Sequence, residues 1–244
     1  MLFRRSMPDC NFIIRVATSD EDLVAAEQII NRLYGWRGYG AQHTLTKHES
    51  RTTFVATHGA DTLGTLTLSV DSPVGLSVDA SFPEELAELR KRGASVCELT
   101  KFAFDPSAQS KPLLAILFHT IFTYGTHHHS CTDLLIEVNP RHVRFYEAAL
   151  GFRKLGDLKT NTAVNAPSQL MQLPVCEIED NIERFAGENP GSSHSLYRHF
   201  LGREDARTLQ ARIAAVYDPS SRFGRDSVLP MREVPAPSIH LLTA

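Results

Sequence analysis

Two stretches of the chain hold the side chains with chemistry to offer. In Ser95-Val96-Cys97-Glu98-Leu99-Thr100-Lys101-Phe102-Ala103-Phe104, a carboxylate, a hydroxyl and an ammonium fall close together. A carboxylate can take a proton from a nucleophile, directly or through a water; Glu98 can equally lie on the surface or pair with Lys101. Lys101 can hold an anion or be an exposed strand lysine. The second stretch, Leu134 to Phe152, offers the Asn139 amide and the Tyr146 phenol. Between the two, Ser110 and Lys111 provide a hydroxyl and a point charge suited to a single phosphate. His127-His128-His129 invites a metal, but three successive helical residues cannot face one ion, and no carboxylate or Cys is suitably spaced. No metal site is expected.

The surrounding pattern shows what must position these groups. Leu134–Val138 is a short apolar run, read as a buried strand. Asn139 suits a helix N-cap and Pro140 the first helical position. Val143, Tyr146 and Leu150 then share one helical face, and Gly151 can take the left-handed conformation that ends the helix. Upstream, residues 12–17 read as a strand and Thr18 with Glu21 as a capping box. The helix that follows carries Leu23, Ala26, Ile30 and Leu33 on one face. Residues 34–40, with three aromatics and three glycines, read as a loop or broken helix.

Residues 51–57 and 62–70 form a predicted hairpin, the second strand alternating Leu and Thr with one face wetter than the other. Ser81 and Glu84 suggest another capping box, and Arg90, Lys91 and Arg92 suit that helix's end. Along 95–104, alternation puts Glu98, Thr100 and Phe102 on one face and Leu99, Lys101 and Ala103 on the other. Pro112 begins an apolar helix with Leu113, Ile116, Leu117, Thr120, Ile121 and Tyr124 as its buried stripe. Gln169–Leu173 reads as a strand. Beyond Ile178 the pattern turns helical, with Ile182 and Phe185, then Leu196 and Phe200, then Leu209, Ile213 and Val216. After Asp218 it is Pro- and Ser-rich without period. The element order implies an α+β fold over residues 1–177, followed by a helical extension and irregular tail over 178–244.

Bulk properties narrow the class. The 244 residues carry a net charge of −3, which gives no global basic field for nucleic acid. With 42% hydrophobic and 22% charged residues, the composition is that of a globular domain. Cysteines at 10, 97, 131 and 176 form no CxxC pair, so they read as reduced thiols in a cytoplasmic protein. No secretory signal and no apolar run of ~20 residues is found.

The strand-Asn-helix-Leu-Gly-Phe unit, on Asn139, Tyr146 and Leu150-Gly151-Phe152, resembles the last motif of the GNAT superfamily of N-acyltransferases. The resemblance implies a three-layer fold whose mixed, twisted sheet splays between the Glu98 and Asn139 strands. A pantetheine arm enters that splay like an added strand. It implies that Asn139 contacts the arm and that Tyr146 protonates the departing thiolate or holds its sulfur. It places oxyanion donors in the backbone of Phe102, Ala103 and Phe104. The turn Gln109-Ser110-Lys111-Pro112-Leu113-Leu114 lacks both glycines of the CoA-binding pattern, and Pro112 brings no N–H. That shifts the donor from acyl-CoA towards the single phosphodiester of an acyl carrier protein.

Glu98-Leu99-Thr100-Lys101-Phe102 is similar to the acidic-x-Ser/Thr-basic-Phe stretch of acyl-homoserine-lactone synthases and long-chain N-acyl amino acid synthases. Arg32-Leu33-Tyr34-Gly35-Trp36 resembles their Arg/Tyr/aromatic segment. Residues 42–49 hold one carboxylate, Glu49, where lactone synthases carry an acidic cluster, which favours the amino acid branch.

The expected activity is transfer of a long-chain acyl group from an acyl carrier protein to an amino acid amine, with no permanently bound cofactor. Glu98 is the candidate base. Lys101 would meet the acceptor carboxylate or the phosphate arm. Arg32, Tyr34, Trp36 and Thr100 would line the acyl or acceptor pocket; Trp36 suits packing equally. Basic residues at 90–92, 141, 144, 153 and 154 would dock an acidic carrier, or individually be solvated helix ends. The alternatives are lactone synthesis and a catalytically silent module that binds acyl carriers.

Overall fold

The computed structural model describes residues 3–7, 10–108, 110–187 and 195–217. Gln109 and the Pro- and Ser-rich tail lie outside them. One nine-stranded mixed sheet forms the middle layer, in the order β1-β2-β3-β4-β5-β6-β9-β7, with β8 on β9. Its strands are β1 (Phe3–Met7), β2 (Cys10–Val16), β3 (Arg51–His58), β4 (Asp61–Val70), β5 (Val96–Phe104), β6 (Asp133–Val138), β7 (Arg153–Lys154), β8 (Lys159–Asn161) and β9 (Ala166–Pro174). Only β5 and β6 run parallel; the other neighbours are antiparallel.

The first helix, α1 (Asp20–Trp36), is capped one residue later than its sequence suggests. Ser19 accepts from the Asp22 N–H at 3.1 Å, and Asp22 returns the bond to the Ser19 backbone. Asp22 is also ion-paired with Arg15, an extra partner that Thr18 with Glu21 would not have. The helix continues through Tyr34 and Trp36, and the loop begins only at Arg37. The predicted box at Ser81 and Glu84 does not form. The helix α2 (Pro83–Lys91) starts after Phe82, whose buried ring fixes the entry, with Pro83 in the first turn.

Both faces of the central strands are covered. Leu66, Leu68 and Leu99 pack with α3 (Lys111–His129), while Ala103 packs with Ile29, Ile30 and Leu33 of α1. The expectation of a wetter face on β4 is therefore overturned. Thr65 and Thr67 are buried, and their hydroxyls are satisfied by the Phe54 carbonyl at 3.0 Å and by Thr53 at 2.9 Å. A covered face can carry Thr when each hydroxyl finds a partner.

The last helices pack into the same core. α5 (Val175–Phe185) follows β9 directly, and α6 (Arg203–Tyr217) buries Leu209 and Ile213 with residues of α3. His119 on α3 accepts from the Leu201 N–H at 3.0 Å and stacks on Phe200 at 4.9 Å. Burial pushes its pKa down to about 4, so the ring stays a neutral acceptor.

The unit that opens the sheet lies between β5 and β6. Their parallel ladder runs from Val96↔Asp133 to Leu99↔Ile136 and stops. At that point β5 bulges against β4: Thr67 pairs Thr100, but Thr65 pairs Ala103, and Lys101 takes a left-handed φ of 55°. An extra residue bends a strand and increases its twist. β6 meanwhile stays paired with β9 through Val138↔Gln169. Thr100 to Phe104 therefore diverge from β6, as expected for the splayed fold. The bulge also resets the alternation. Phe102 lies on the α3 side, 5.8 Å from the Phe118 ring, and not with Glu98 and Thr100 as strict alternation requires.

Gly64 marks how tightly this end of β5 is held. A Cβ there would meet the Phe104 ring at 2.3 Å. Gly64→Ala should cost ~1–3 kcal/mol in denaturant unfolding. Adding Phe104→Leu should recover part of that loss, because the two sites share one clash.

Candidate active site

The splay is walled on one side by β5 and on the other by the segment after β6. Asn139 ends β6 in an extended conformation, and its side chain accepts from the Arg141 N–H at 3.2 Å. Pro140–His142 form a 3-10 turn, and α4 (Val143–Leu150) begins only after it. That turn replaces the first part of the predicted helix. Val143, Tyr146 and Leu150 are buried as expected, and Gly151 closes the helix at φ 86°.

Tyr146 packs edge-on against Phe145 at 5.2 Å and Phe152 at 5.9 Å. Burial raises its pKa above the ordinary phenol value, and Tyr34 adds to the rise. Tyr34 is pushed up to about 12, also by burial. Its hydroxyl donates to the Phe102 carbonyl at 3.4 Å, on the strand just past the bulge. Both phenols therefore stay protonated over any physiological pH and act as hydrogen-bond donors.

The loop after α1 is strapped over the same opening. His43 exchanges backbone and side-chain bonds with Asn31 at 2.7 and 3.0 Å. Its Nε2 meets the Tyr39 carbonyl at 3.0 Å, which requires a proton there, leaving Nδ1 to accept from Lys101 Nζ at 3.2 Å. Tyr39 in turn accepts from Arg141 Nη2 at 3.1 Å. The chain 101–43–39–141 thus joins the β5 bulge to the far wall. Burial lowers the Lys101 pKa, with Arg51 adding to it.

Glu98 sits at the foot of the splay, 1% exposed. Its carboxylate accepts from the Ser77 N–H at 2.8 Å and from the Val78 N–H, both in the 3-10 turn before α2. It is neither at the surface nor paired with Lys101, whose partner is His43. Burial is the main cause of a pKa raised to about 8, opposed by those two N–H donors and assisted by the charges of Glu137 and Asp79.

The remaining predicted residues separate. Thr100 is half-buried on β5, Ala103 packs on α1, and Phe102 and Phe104 lie 5.9 Å apart on the α3 side. Ser110 caps α3 by accepting from the Leu113 N–H at 3.3 Å, with Lys111 exposed beside it. Arg32 points away to Asp105 at 2.8 Å. Trp36 is 82% exposed with the Arg37 guanidinium 6.0 Å from its ring. Of the basic residues, Arg90 is clamped by Asp71 and Asp79 at 2.6–2.8 Å, and Arg153 pairs with Glu177. Arg90 is thus committed to holding the 3-10 turn that covers Glu98. Sequence reasoning missed His43, Tyr39 and Glu137. The visible signal for Glu137 is a charged residue inside an apolar strand, two positions before Asn139.

Residues 25–174 match the family model for the N-acyl amino acid synthase FeeM. This chain belongs to that family. A solved structure of FeeM, from uncultured soil microbes, is 30% identical, with 69% of this chain and 93% of that one covered at a TM-score of 0.61. The AHL synthase LasI aligns at 11% identity over 68% of this chain and 91% of its own, TM-score 0.51. A putative N-acetyltransferase from Lactobacillus plantarum aligns at 15% over 67% and 98%, TM-score 0.50. The last two speak for the fold alone. No curated protein matches the sequence. The protein is thus an acyltransferase of GNAT-like fold, and the family match stops where α5 begins. Among the described residues no group of three or more His, Cys, Asp or Glu could hold a metal ion, and no helix is long and apolar enough to cross a membrane.

The Glu98 environment has a measurable consequence. Folded, Glu98 keeps its proton up to about pH 8, against an ordinary value of 4.5 for the unfolded chain. Stability from this group is intact below the lower value and is lost as pH rises through the upper one. Glu98→Gln removes that loss. The variant should gain melting temperature over the parent as pH is raised from about 4.5 to about 8, the difference levelling off above that, and a pH-independent difference would contradict the assigned burial.

Proposed function

We propose that this FeeM-family protein transfers a long-chain acyl group from the phosphopantetheine of an acyl carrier protein to the amine of an amino acid. The observation that carries the reading is the end of the β5–β6 ladder at Leu99↔Ile136, beyond which the β6-facing edge of β5 from Thr100 to Phe104 has no strand partner among the described residues. Backbone amides and carbonyls facing such a gap favour an extended ligand, because burying them unpaired is costly. Asn139 faces the arm from the other wall. The carrier donor is favoured over CoA by the start of α3. The Ser110 hydroxyl and Lys111 suit one phosphate, and Pro112 removes an N–H from any pyrophosphate cradle.

The chemistry requires that nitrogen lose two protons, that a C–N bond form and that a C–S bond break. In this reading Glu98, as carboxylate, takes the first proton from the ammonium. The free amine attacks the thioester carbonyl, and backbone N–H groups past the bulge stabilise the oxyanion. The second proton goes with the thiolate to give the free thiol. Tyr146, with its raised pKa, is a poor proton source for a thiolate and a good hydrogen-bond donor to it. It therefore holds the sulfur, with Tyr34 fixing the strand beside it. Lys101 and Thr100 border the acceptor approach; Arg32, paired with Asp105, and the exposed Trp36 are given no part in it.

Purified protein incubated with acyl carrier thioesters and mixed amino acids should yield N-acyl amino acids by mass, with matching thiol release. Lactone formed from S-adenosylmethionine, or thioester binding without thiol release, would replace this reading with a synthase of the other branch or a silent module. Glu98→Gln and Tyr146→Phe should each slow turnover by about tenfold or more. The parent rate should climb with pH towards about 8 as Glu98 ionises.

A further inference from the structure

Glu137 is the one charged side chain on β6 beyond the last β5–β6 pair, and none of the proposed steps uses it. Alternation along β6 puts it on the same face as Leu135, which packs with α2, and Leu135 is the register partner of Glu98. Glu137 is therefore the next residue up that face, one step nearer the opening than Glu98. Had the ladder continued, its partner would have been Thr100. Its Oε1 is buried and has no hydrogen-bond partner among the described residues. A carboxylate oxygen removed from water and left unpaired carries a desolvation cost that a bound cation would offset.

We propose that Glu137 binds the ammonium group of the acceptor and presents it to Glu98. This deepens the acyl-transfer reading and rests on it for the reaction, but the binding claim stands on the Glu137 oxygen alone. The site takes a primary ammonium: a compact cation with several donors that can bond Glu137 and pass one proton to Glu98. The charges facing Glu98 are Glu137 from β6 and Asp79 from the 3-10 turn, the latter neutralised by Arg90. Glu137 strengthens ammonium binding, and its charge adds to the burial that keeps the base protonated.

The test separates binding from turnover. The standard amino acids, and their N-acetyl counterparts that lack the ammonium, are added to the parent and to Glu137→Gln, and unfolding temperature is read. At least one free amino acid should stabilise the parent, its N-acetyl form should not, and Glu137→Gln should lose the effect. Stabilisation of the variant equal to that of the parent, or no stabilisation of the parent by any free amine, overturns the proposal. In the turnover assay, Glu137→Gln should raise the acceptor KM by about tenfold or more, as expected for a lost charged hydrogen bond, with the thioester KM unchanged. The acid limb of kcat/KM should move to lower pH, a change that a merely structural role would not produce. Loss of all turnover by the parent, with ammonium-dependent stabilisation retained, would reject the acyl-transfer reading and leave the binding site standing.

Discussion

The active region depends on a single backbone event: one extra residue in β5. Lys101 occupies a left-handed conformation that an L side chain adopts at a cost, and the surrounding bonds hold it there. Its ammonium is fixed by His43, and the carbonyl of the next residue accepts from Tyr34. From the bulge onward β5 follows β4 and α1, while β6 follows β9. The opening between them is a consequence of each strand keeping its better-paired neighbour.

The surroundings of the opening divide into a dry foot and a polar rim. At the foot, Glu98 is enclosed by the 3-10 turn that Arg90 clamps through Asp71 and Asp79. Those bonds keep a carboxyl away from water yet supplied with two N–H donors, and burial outweighs the donors to raise its pKa to about 8. At the rim, the Tyr39–His43 loop spans from the bulge to Arg141. The buried phenols of Tyr34 and Tyr146 stay protonated and can donate.

The helices after β9 belong to the same packing unit as the sheet. Tyr197 donates to the Leu150 carbonyl at 2.9 Å, and the Leu196 N–H bonds the Ala149 carbonyl at 2.8 Å. Both carbonyls terminate α4, the helix that carries Tyr146. The extension thus satisfies helix-end acceptors behind the active region, and its burial of Phe200 and Leu201 against His119 ties that support to α3.

The strand-Asn-Pro-helix-Gly unit, the β3–β4 hairpin, the apolar α3 and the family itself were all legible in the sequence. Each rests on neighbours within a few residues, where periodicity, caps and breakers act directly. What only the tertiary structure decided depends on distant partners. Strict alternation put Phe102 beside Glu98, but a bulge stabilised by α1 and the 43 loop reversed the faces beyond Lys101. For Glu98, the candidate base, the pattern left a surface or ion-paired position equally open, because Ser77 and Val78, which enclose it, lie some twenty positions upstream. Thr65 and Thr67 suggested a wet face because their cover comes from α1. Arg90 looked like a free basic residue until the fold brought Asp71 and Asp79 around it. Burial and pairing between separated segments are set by the whole chain's packing, and short-range pattern carries no record of them.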